Sequence, residues 1–335
     1  MDNVTIKNKP LLSIIITVFN SHDKLSACLE SVLSQSLEKT EILIIDDASS
    51  DNSLEVINQY VGDTVERIKI IKLPENKGPG HARNIGIQNA IGEYVSFIDG
   101  DDTVHFNYIK TILKAITSQN TDLIVISYER VTKNKQKCIE KIYPYTKWKN
   151  YNKILTVDEY PEITALIEVS CVIKVIKKSI LDDHPSIRFP DFKVAEDLHF
   201  SLNLYAYIKD AVVLPNALYF YHLHENGLSN NNGLHAEYIK ILEETIESYK
   251  NYGLYEIRYK ELEYVFSIHM FLPNLLKFSK NKNPSNYRSL QELRNALTKY
   301  FPNYTINPYL RYEPSFVKLT LKIIDIWPQF LKILI

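Results

Sequence analysis

The run Asp99-Gly100-Asp101-Asp102 places three carboxylates within four residues, directly behind the strand-like stretch Glu93-Tyr94-Val95-Ser96-Phe97-Ile98. Like charges this close repel, and the repulsion calls for an offsetting cation. Oxygen-only ligands favour a hard divalent ion, Mg²⁺ or Mn²⁺, and such an ion commonly holds a diphosphate. Aspartate also suits a solvated turn or a helix N-cap, which is the plainer reading. A calcium loop is excluded, because Val104 stands where that loop needs Gly and Lys110 where it needs Glu.

The elements that must position these acids alternate. Leu11–Val18 is an apolar, β-rich run. Asp23–Gln35 follows with Leu25, Leu29, Val32 and Leu33 at helical spacing. Glu41–Ile45 is the next strand, ending at Asp46-Asp47, and Ser50/Asp51 caps a helix through Val56, Ile57 and Tyr60. Ile68–Leu73, Glu93–Ile98 and Leu123–Ser127 read as strands, Gly80–Ile91 and His105–Ser118 as helices. Strand–helix alternation with short links implies an α/β fold with a mostly parallel sheet and right-handed crossovers. The polar clusters fall at one edge of it. Thr17 to Asn20 ends the first strand, Asp46-Asp47 the second, Asn76-Lys77-Gly78 follows the third and Asp99–Asp102 the fourth. Ligands of open α/β sheets sit outside the carboxyl ends of the strands. Four clusters there favour a shared site over four unrelated solvated turns.

Composition sets the outer bounds. The chain has 335 residues, room for one large domain or two ordinary ones. Its 39 Lys+Arg and 40 Asp+Glu give a net charge of −1, against the basic balance of a general nucleic-acid binder. Cys28, Cys138 and Cys171 are odd in number and widely spaced, so neither a disulfide framework nor a zinc site is indicated and a reducing cytosol fits. The first ten residues hold Lys7, Lys9 and Pro10 and no apolar core, which argues against a signal peptide. No run of about 18 apolar residues predicts a membrane span.

The second half changes character. Residues 129–153 carry seven lysines with Tyr143, Tyr145, Trp148 and Tyr151 interleaved, a stretch that could grip an anionic acceptor or a membrane surface, or form a solvated hairpin. Glu196–Tyr207 reads as a helix, and Ala211–Leu214 and Leu218–His222 as short strands. From about residue 235 the pattern is helical: Tyr238–Tyr249, Tyr255–Leu272, Leu290–Tyr300 and Phe316–Ile326. A boundary near 230 divides an α/β domain (1–230) from a helical C-terminal region (231–335).

Val18-Phe19-Asn20, Asp46-Asp47-Ala48-Ser49-Ser50-Asp51, Asn76-Lys77-Gly78, Ala82-Arg83-Asn84-Ile85-Gly86 and Phe97-Ile98-Asp99-Gly100-Asp101-Asp102 resemble, in order and spacing, the family-2 glycosyltransferases. The resemblance is specific over residues 11–125 and weaker to about Ser229. It implies the GT-A fold, a Rossmann-like nucleotide-binding sheet, and transfer of a sugar from a nucleotide-sugar to a hydroxyl. By the same resemblance Thr17 and Phe19 border the nucleobase, with Asn20 beside them. Asp47 accepts a uracil-type N–H, Asp46 shapes the turn, Asn76 and Gly78 line the donor, and Arg83 lies near base or phosphates. Asp101 lies by the ribose and also counts with Asp102 as a metal ligand, and Asp99 supports the motif. Glu196-Asp197 resembles the family's acid pair at the start of a helix under the acceptor, with Asp197 as the base. A carboxylate in reach of a sugar hydroxyl can take its proton as the new bond forms; a helix-dipole role is the alternative. His222 stands where many relatives have Arg. Either His222 or His224 could bind the metal or the diphosphate, or be a surface strand histidine.

The implied cofactor is Mn²⁺ or Mg²⁺. The implied partners are a nucleotide-sugar, UDP-linked by the Asp47 argument, and a saccharide or lipid-linked saccharide acceptor of surface polysaccharide synthesis. One base and no obvious second nucleophile imply inversion. A nicotinamide-dependent oxidoreductase would need GxGxxG after the first strand, where Phe19-Asn20-Ser21-His22 stands, and a P-loop is absent. A catalytically silent nucleotide-sugar-binding relative remains as the rival reading. The expected location is the cytoplasm, with peripheral contact to the inner face of the cell membrane. That contact is assigned to the tail: Phe316, Leu319, Ile323, Ile326 and Trp327 share one helical face, with Lys318, Lys322 and Asp325 on the other, extended by Gln329 and Lys332. Packing of this helix on the protein's own core is the alternative.

Overall fold

The computed structural model describes residues 9–61, 66–132, 138–142, 150–192, 194–223, 235–280 and 284–326. Its contacts divide the chain into two compact units: 1–156 with 170–191 and 207–227, and 157–169 with 192–206 and 228–335. The division therefore differs from a single cut near 230. Two stretches inside the first 230 residues, 157–169 and 192–206, pack with the C-terminal helices.

The first unit is built on β1 (Leu12–Val18), whose seven side chains are all buried. A continuous β-branched run of this kind suits a strand covered on both faces. It pairs in parallel with β2 (Thr40–Asp46) and β4 (Tyr94–Asp99), and β2 with β3 (Ile68–Lys72). The helices between them are α1 (His22–Leu33), α2 (Ser53–Val61) and α3 (Pro79–Asn89). Register sets the site: Val18 lies opposite Asp46 and Thr17 opposite Asp99.

After β4 come β5 (Thr103–Val104), α4 (Tyr108–Gln119), β6 (Leu123–Thr132), β7 (Cys138–Ile142) and β8 (Ile154–Thr156). The strand expected from Leu123 thus forms, but it does not lie beside β4. A short strand, β9 (Lys174–Lys177), enters between β4 and β6, antiparallel to both. Its four residues Lys-Val-Ile-Lys carry too little apolar pattern to announce a buried strand. Lys174 is nevertheless fully buried, its Nζ donating to the Ser170 carbonyl at 2.6 Å. After α6 (Lys178–Asp183) and a helical stretch that belongs to the second unit, the chain returns as β10 (Asp210–Leu223), parallel to β6 and antiparallel to β5 and β8. The two short strands expected here are one strand with register shifts between Val213 and Tyr219. Pro215, which has no N–H to give, lies in the irregular part. The Lys-rich stretch begins as the β6–β7 hairpin; residues 133–137 and 143–149 lie outside the described residues.

The second unit is helical: α5 (Glu162–Leu166), α7 (Glu196–Tyr205), α8 (His235–Asn251), α9 (Tyr259–Val265), α10 (Leu272–Lys280), α11 (Pro284–Tyr300) and α12 (Ser315–Ile326). The Tyr249 hydroxyl donates to the Leu202 carbonyl at 2.8 Å and ties α8 to α7. The helix expected over 255–272 starts at Tyr259 and runs on to Lys280. Between α9 and α10 the residues Phe266–Phe271 form a widened π turn. Pro273 explains it, since a proline there would collide with the carbonyl four residues back in a regular helix.

On α12 the buried stripe is not the expected apolar face. Val317, Leu321 and Ile324 are buried, whereas Phe316, Leu319 and Ile326 are 63%, 59% and 83% exposed. Packing on the protein's own core therefore uses a different stripe from the one formed by Phe316, Leu319 and Ile326. Trp327, Pro328, Gln329 and Lys332 lie outside the described residues.

Candidate active site

At the carboxyl edge of the first unit, each expected residue can be placed. Phe19 is 46% exposed and offers an open ring face. Asn20 adopts a left-handed φ of 46°; its side-chain oxygen accepts the Ser50 N–H at 2.8 Å, and its own N–H donates to Ser49 Oγ at 3.0 Å. Asn20 thus laces the β1–α1 loop to the β2–α2 loop. Asp46 is fully buried and accepts the Ser49 N–H at 3.1 Å.

Asp47 is 2% exposed, and its two oxygens each accept a backbone N–H, from Lys77 at 3.1 Å and Gly78 at 2.8 Å. Gly78 also donates to the Asn76 side chain at 3.0 Å and sits at φ 91°, a conformation that requires glycine. The family resemblance implies that Asp47 accepts a base N–H. In the structure it fixes the loop that leads into α3, where Gly78 precedes Pro79.

From α3, Arg83 is 4% exposed and donates through Nη2 to Asp99 Oδ1 at 2.8 Å, with its guanidinium 5.3 Å above the Phe189 ring. Thr17 Oγ1 donates to the same Asp99 oxygen at 3.2 Å. Arg83, expected at base or phosphates, is thus turned toward Asp99. Asn84 next to it clasps the Phe189 backbone through both amide atoms, at 2.7 and 3.0 Å. Gly100 is needed for the turn, because a Cβ there would lie 2.9 Å from the Thr17 carbonyl oxygen.

The acids of the cluster separate into two environments. Asp101 keeps 37% side-chain exposure, with Lys24 Nζ 3.8 Å away. Asp102 is 1% exposed, and protein donors take both its oxygens: the Tyr219 hydroxyl at 2.6 Å and the His222 N–H at 2.8 Å. Burial, reinforced by Asp99, pushes its carboxyl up to about 8 against the pull of the Tyr219 hydrogen bond. Asp102, expected as the principal metal ligand, braces the end of β4 against β10 in this structure. The ring of His222 faces Thr103 Oγ1 at 2.9 Å, and His224 lies outside the described residues. Among the described residues no three His, Cys, Asp or Glu side chains are gathered as a metal cage.

Tyr219 was missed as a site residue. It donates to Asp102 and accepts the Asp99 N–H at 3.2 Å, so one phenol joins both acids. Its signal was the alternation Tyr219-Phe220-Tyr221, which reads equally well as an ordinary strand. Phe189 left no signal in the sequence.

Glu196 and Asp197 belong to the second unit, in the first turn of α7. Ala195 enters that helix at a left-handed φ of 56°, uncommon for a residue with a Cβ. Both carboxylates are partly exposed at the positive end of the helix.

Residues 13–181 match the family model described as glycosyl transferase family 2. The chain belongs to that family, and by family it is an enzyme of the glycosyltransferase class. It is 27% identical over 291 residues to the poly(ribitol-phosphate) beta-N-acetylglucosaminyltransferase TarP of Staphylococcus aureus, covering 84% of each chain. It spans less of other curated relatives, 31% of the glycosyltransferase GlyA of Streptococcus pneumoniae. The crystal structure of S. aureus TarS 1–349 superposes with a TM-score of 0.72 at 20% identity, over 95% of this chain and 90% of that one, and another TarS structure contains UDP-GlcNAc. The mannosyltransferase PcManGT from Pyrobaculum calidifontis, in complex with GDP-Man and Mn²⁺, superposes at 0.52 and 14% identity over 96% and 89%. These likenesses show the GT-A fold.

The Asp47 bracket can be tested without substrate. Asp47→Ala leaves the Lys77 and Gly78 N–H groups without their acceptor, so a loss of about 2–4 kcal/mol in urea unfolding is expected, with faster protease cleavage near residue 77. An unchanged midpoint would show that the loop holds itself.

Proposed function

We propose that this chain moves the sugar of a UDP-sugar onto a hydroxyl of a cell-envelope acceptor, either a saccharide, a lipid-linked saccharide or a polyol-phosphate chain, with inversion and with help from a divalent cation. The observation that carries the reading is the acid cluster at the end of β4, framed by Phe19, the Asp47-held loop and Arg83. TarP supports the polyol-phosphate option, being named for that activity.

The donor set fits a hard cation: it is all oxygen, and the like charge that crowds Asp102 is the kind a positive ion relieves. Asp99 and Asp101 would hold Mn²⁺ or Mg²⁺, which when bound supplies charge neutralisation at the departing diphosphate. The chain's own groups do the rest. Phe19 gives the base a ring to rest on. Arg83 keeps Asp99 oriented. Asp197 takes the proton of the acceptor hydroxyl while that oxygen bonds to the anomeric carbon. The bond from that carbon to the diphosphate breaks, and its electron pair leaves with UDP. With one base and no second nucleophile in the motifs, displacement is direct and the anomeric centre inverts.

The test is nucleotide release from UDP-, GDP- and TDP-sugars, with Mn²⁺ or EDTA, with oligosaccharides or ribitol-phosphate oligomers as acceptor. Acceptor-dependent UDP release that EDTA stops is expected. Preference for a GDP-sugar, or release indifferent to EDTA, overturns the donor or the metal reading. UDP-sugar binding without any turnover favours the silent relative.

The outward stripe of α12 supports peripheral contact with a membrane that carries the acceptor, with Lys318 and Lys322 near it for anionic lipid. No helix among the described residues is long and apolar enough to cross a bilayer. Flotation with anionic liposomes is expected to carry the full chain upward, and Phe316→Ser with Leu319→Ser to leave it at the bottom. Equal flotation of both proteins removes α12 as the anchor.

A further inference from the structure

The β1–α1 loop is tied to the β2–α2 loop by consecutive residues. Asn20 meets Ser49 and Ser50. Next, the Ser21 N–H donates to Ser53 Oγ at 2.9 Å. Then Asp51 Oδ2 accepts the His22 N–H at 3.1 Å and pairs with ring Nδ1 of the same histidine at 2.9 Å. The other Asp51 oxygen takes the Ser53 N–H at 3.0 Å and the Ser53 hydroxyl at 2.5 Å, so Asp51 is fixed from its own side as well. The ties made by Asn20 and Ser21 are neutral, whereas that of His22 is ionic. Neither His22 nor Asp51 has a part in the transfer described above. The two loops lead back to Phe19 and to Asp47.

The second ring nitrogen of His22 is engaged too, with Nε2 2.9 Å from Asp23 Oδ1. An ionised carboxylate only accepts hydrogen bonds, and a neutral imidazole has a single N–H. Two ring nitrogens, each within hydrogen-bond distance of a carboxylate oxygen, therefore define the imidazolium. Among the described residues the charged groups that face the ring are Asp23, on α1 itself, and Asp51, in the loop before α2. The Asp51 hydrogen bond raises the imidazole above its ordinary 6.5, and the charges of both acids add to it. Burial would raise the Asp51 carboxyl, but hydrogen bonds from Ser53 and His22 outweigh it and hold the group down at about 2. Asp51 is thus ionised wherever His22 titrates. Loss of the ring proton sets a nitrogen lone pair against one of the two carboxylates, and the ionic tie opens.

We propose that His22 is a positioning residue for the nucleotide: as an imidazolium it fixes the Phe19 loop on the Asp47 loop, and nucleotide affinity falls when the ring loses its proton. This rests on the nucleotide-sugar reading of the site and adds a pH dependence to it. The sign follows from the direction of the shift. The tie is fully formed below pH 6.5 and is lost as pH rises through the higher value of the folded protein.

Calorimetry with UDP and excess Mg²⁺ tests this on the full chain, for the wild type, His22→Gln and His22→Arg. Proteins are compared at the same pH, so the ionisation of UDP itself cancels. At about pH 6 the wild type and His22→Arg should bind alike, and His22→Gln about threefold more weakly, the size of an exposed ion pair. At about pH 9 the wild type should have dropped to the level of His22→Gln, while His22→Arg, a forked cation at every pH, stays about threefold tighter. His22 is half-exposed at the start of α1, so the variants should fold. Imidazole NMR without ligand is the second readout: His22 should titrate above 6.5, and lower in Asp51→Asn. Equal affinities of the three proteins at both pH values, a His22→Arg protein no tighter than His22→Gln at the higher pH, or an imidazole that titrates at or below 6.5 overturns the proposal. If UDP binds none of the proteins at any pH while the imidazole titrates as expected, the nucleotide reading has failed, and this role of His22 falls with it.

Discussion

Asp197→Asn is expected to lower sugar transfer by about 10²–10⁴-fold while leaving UDP-sugar affinity unchanged. A general base contributes in this range because it takes the proton only as the acceptor oxygen commits to the anomeric carbon. Asparagine keeps the shape and the position in the first turn of α7 but cannot accept that proton. The favourable meeting of a carboxylate with the helix N-terminus is lost too, which costs about 0.3–1 kcal/mol of stability and leaves the fold intact. Glu196→Gln supplies the comparison. If Asp197 is the base, the neighbouring substitution costs far less in rate. Calorimetry with UDP-sugar separates the roles: an affinity loss that tracks the rate loss would assign Asp197 to the donor and remove it as base.

The second large effect concerns the acids of the β4 turn. Asp101→Asn is expected to weaken Mn²⁺ binding in the presence of UDP by more than about 10²-fold, beyond the usual cost of disturbing a residue that only supports a ligand. Asp102→Asn should weaken it by about tenfold at most. Both Asp102 oxygens are engaged by Tyr219 and the His222 N–H, and an amide can keep one acceptor and turn its NH₂ toward the phenol oxygen. Paramagnetic resonance of free Mn²⁺ reads both numbers without turnover. The reverse order of the two variants would restore Asp102 as the ligand and show that the Tyr219 bond opens when metal enters.

Much of this architecture could be read from the chain. The β-branched run at Leu12–Val18 and the punctuation by Asp46-Asp47, Asn76-Lys77-Gly78 and Asp99–Asp102 were enough for the first four strands and the edge at which a ligand sits. Residue type and position were legible there; the direction of each side chain was not. Asp47, Asp102 and Arg83 carry the charges a ligand would want, yet each is turned to a partner in the protein: two loop N–H groups, a distant tyrosine and Asp99. Such choices depend on which neighbours register and crossover bring near, and Tyr219 is 117 residues from Asp102. β9 was hidden for a related reason. Four residues with a lysine at each end show no period, and only the open slot between β4 and β6 makes them a strand. The C-terminal helices were legible as helices, but the burial of Val317, Leu321 and Ile324 in place of the longer stripe is decided by what they pack on.

The placement of β10 bears on how the molecule is made. A ribosome delivers β4 and β6 long before residues 210–223, so through much of synthesis β6 has no parallel neighbour on that side and the acid at 102 has no phenol to hold. The nascent chain then carries an unpaired apolar edge, which favours wrong pairing with other chains. Closing it waits on contacts nearly ninety residues apart, a slow step by the cost of large loops. Chains released before residue 223 should therefore aggregate even though most of the sheet is already present, and the step that completes the sheet is also the one that finishes the acid turn.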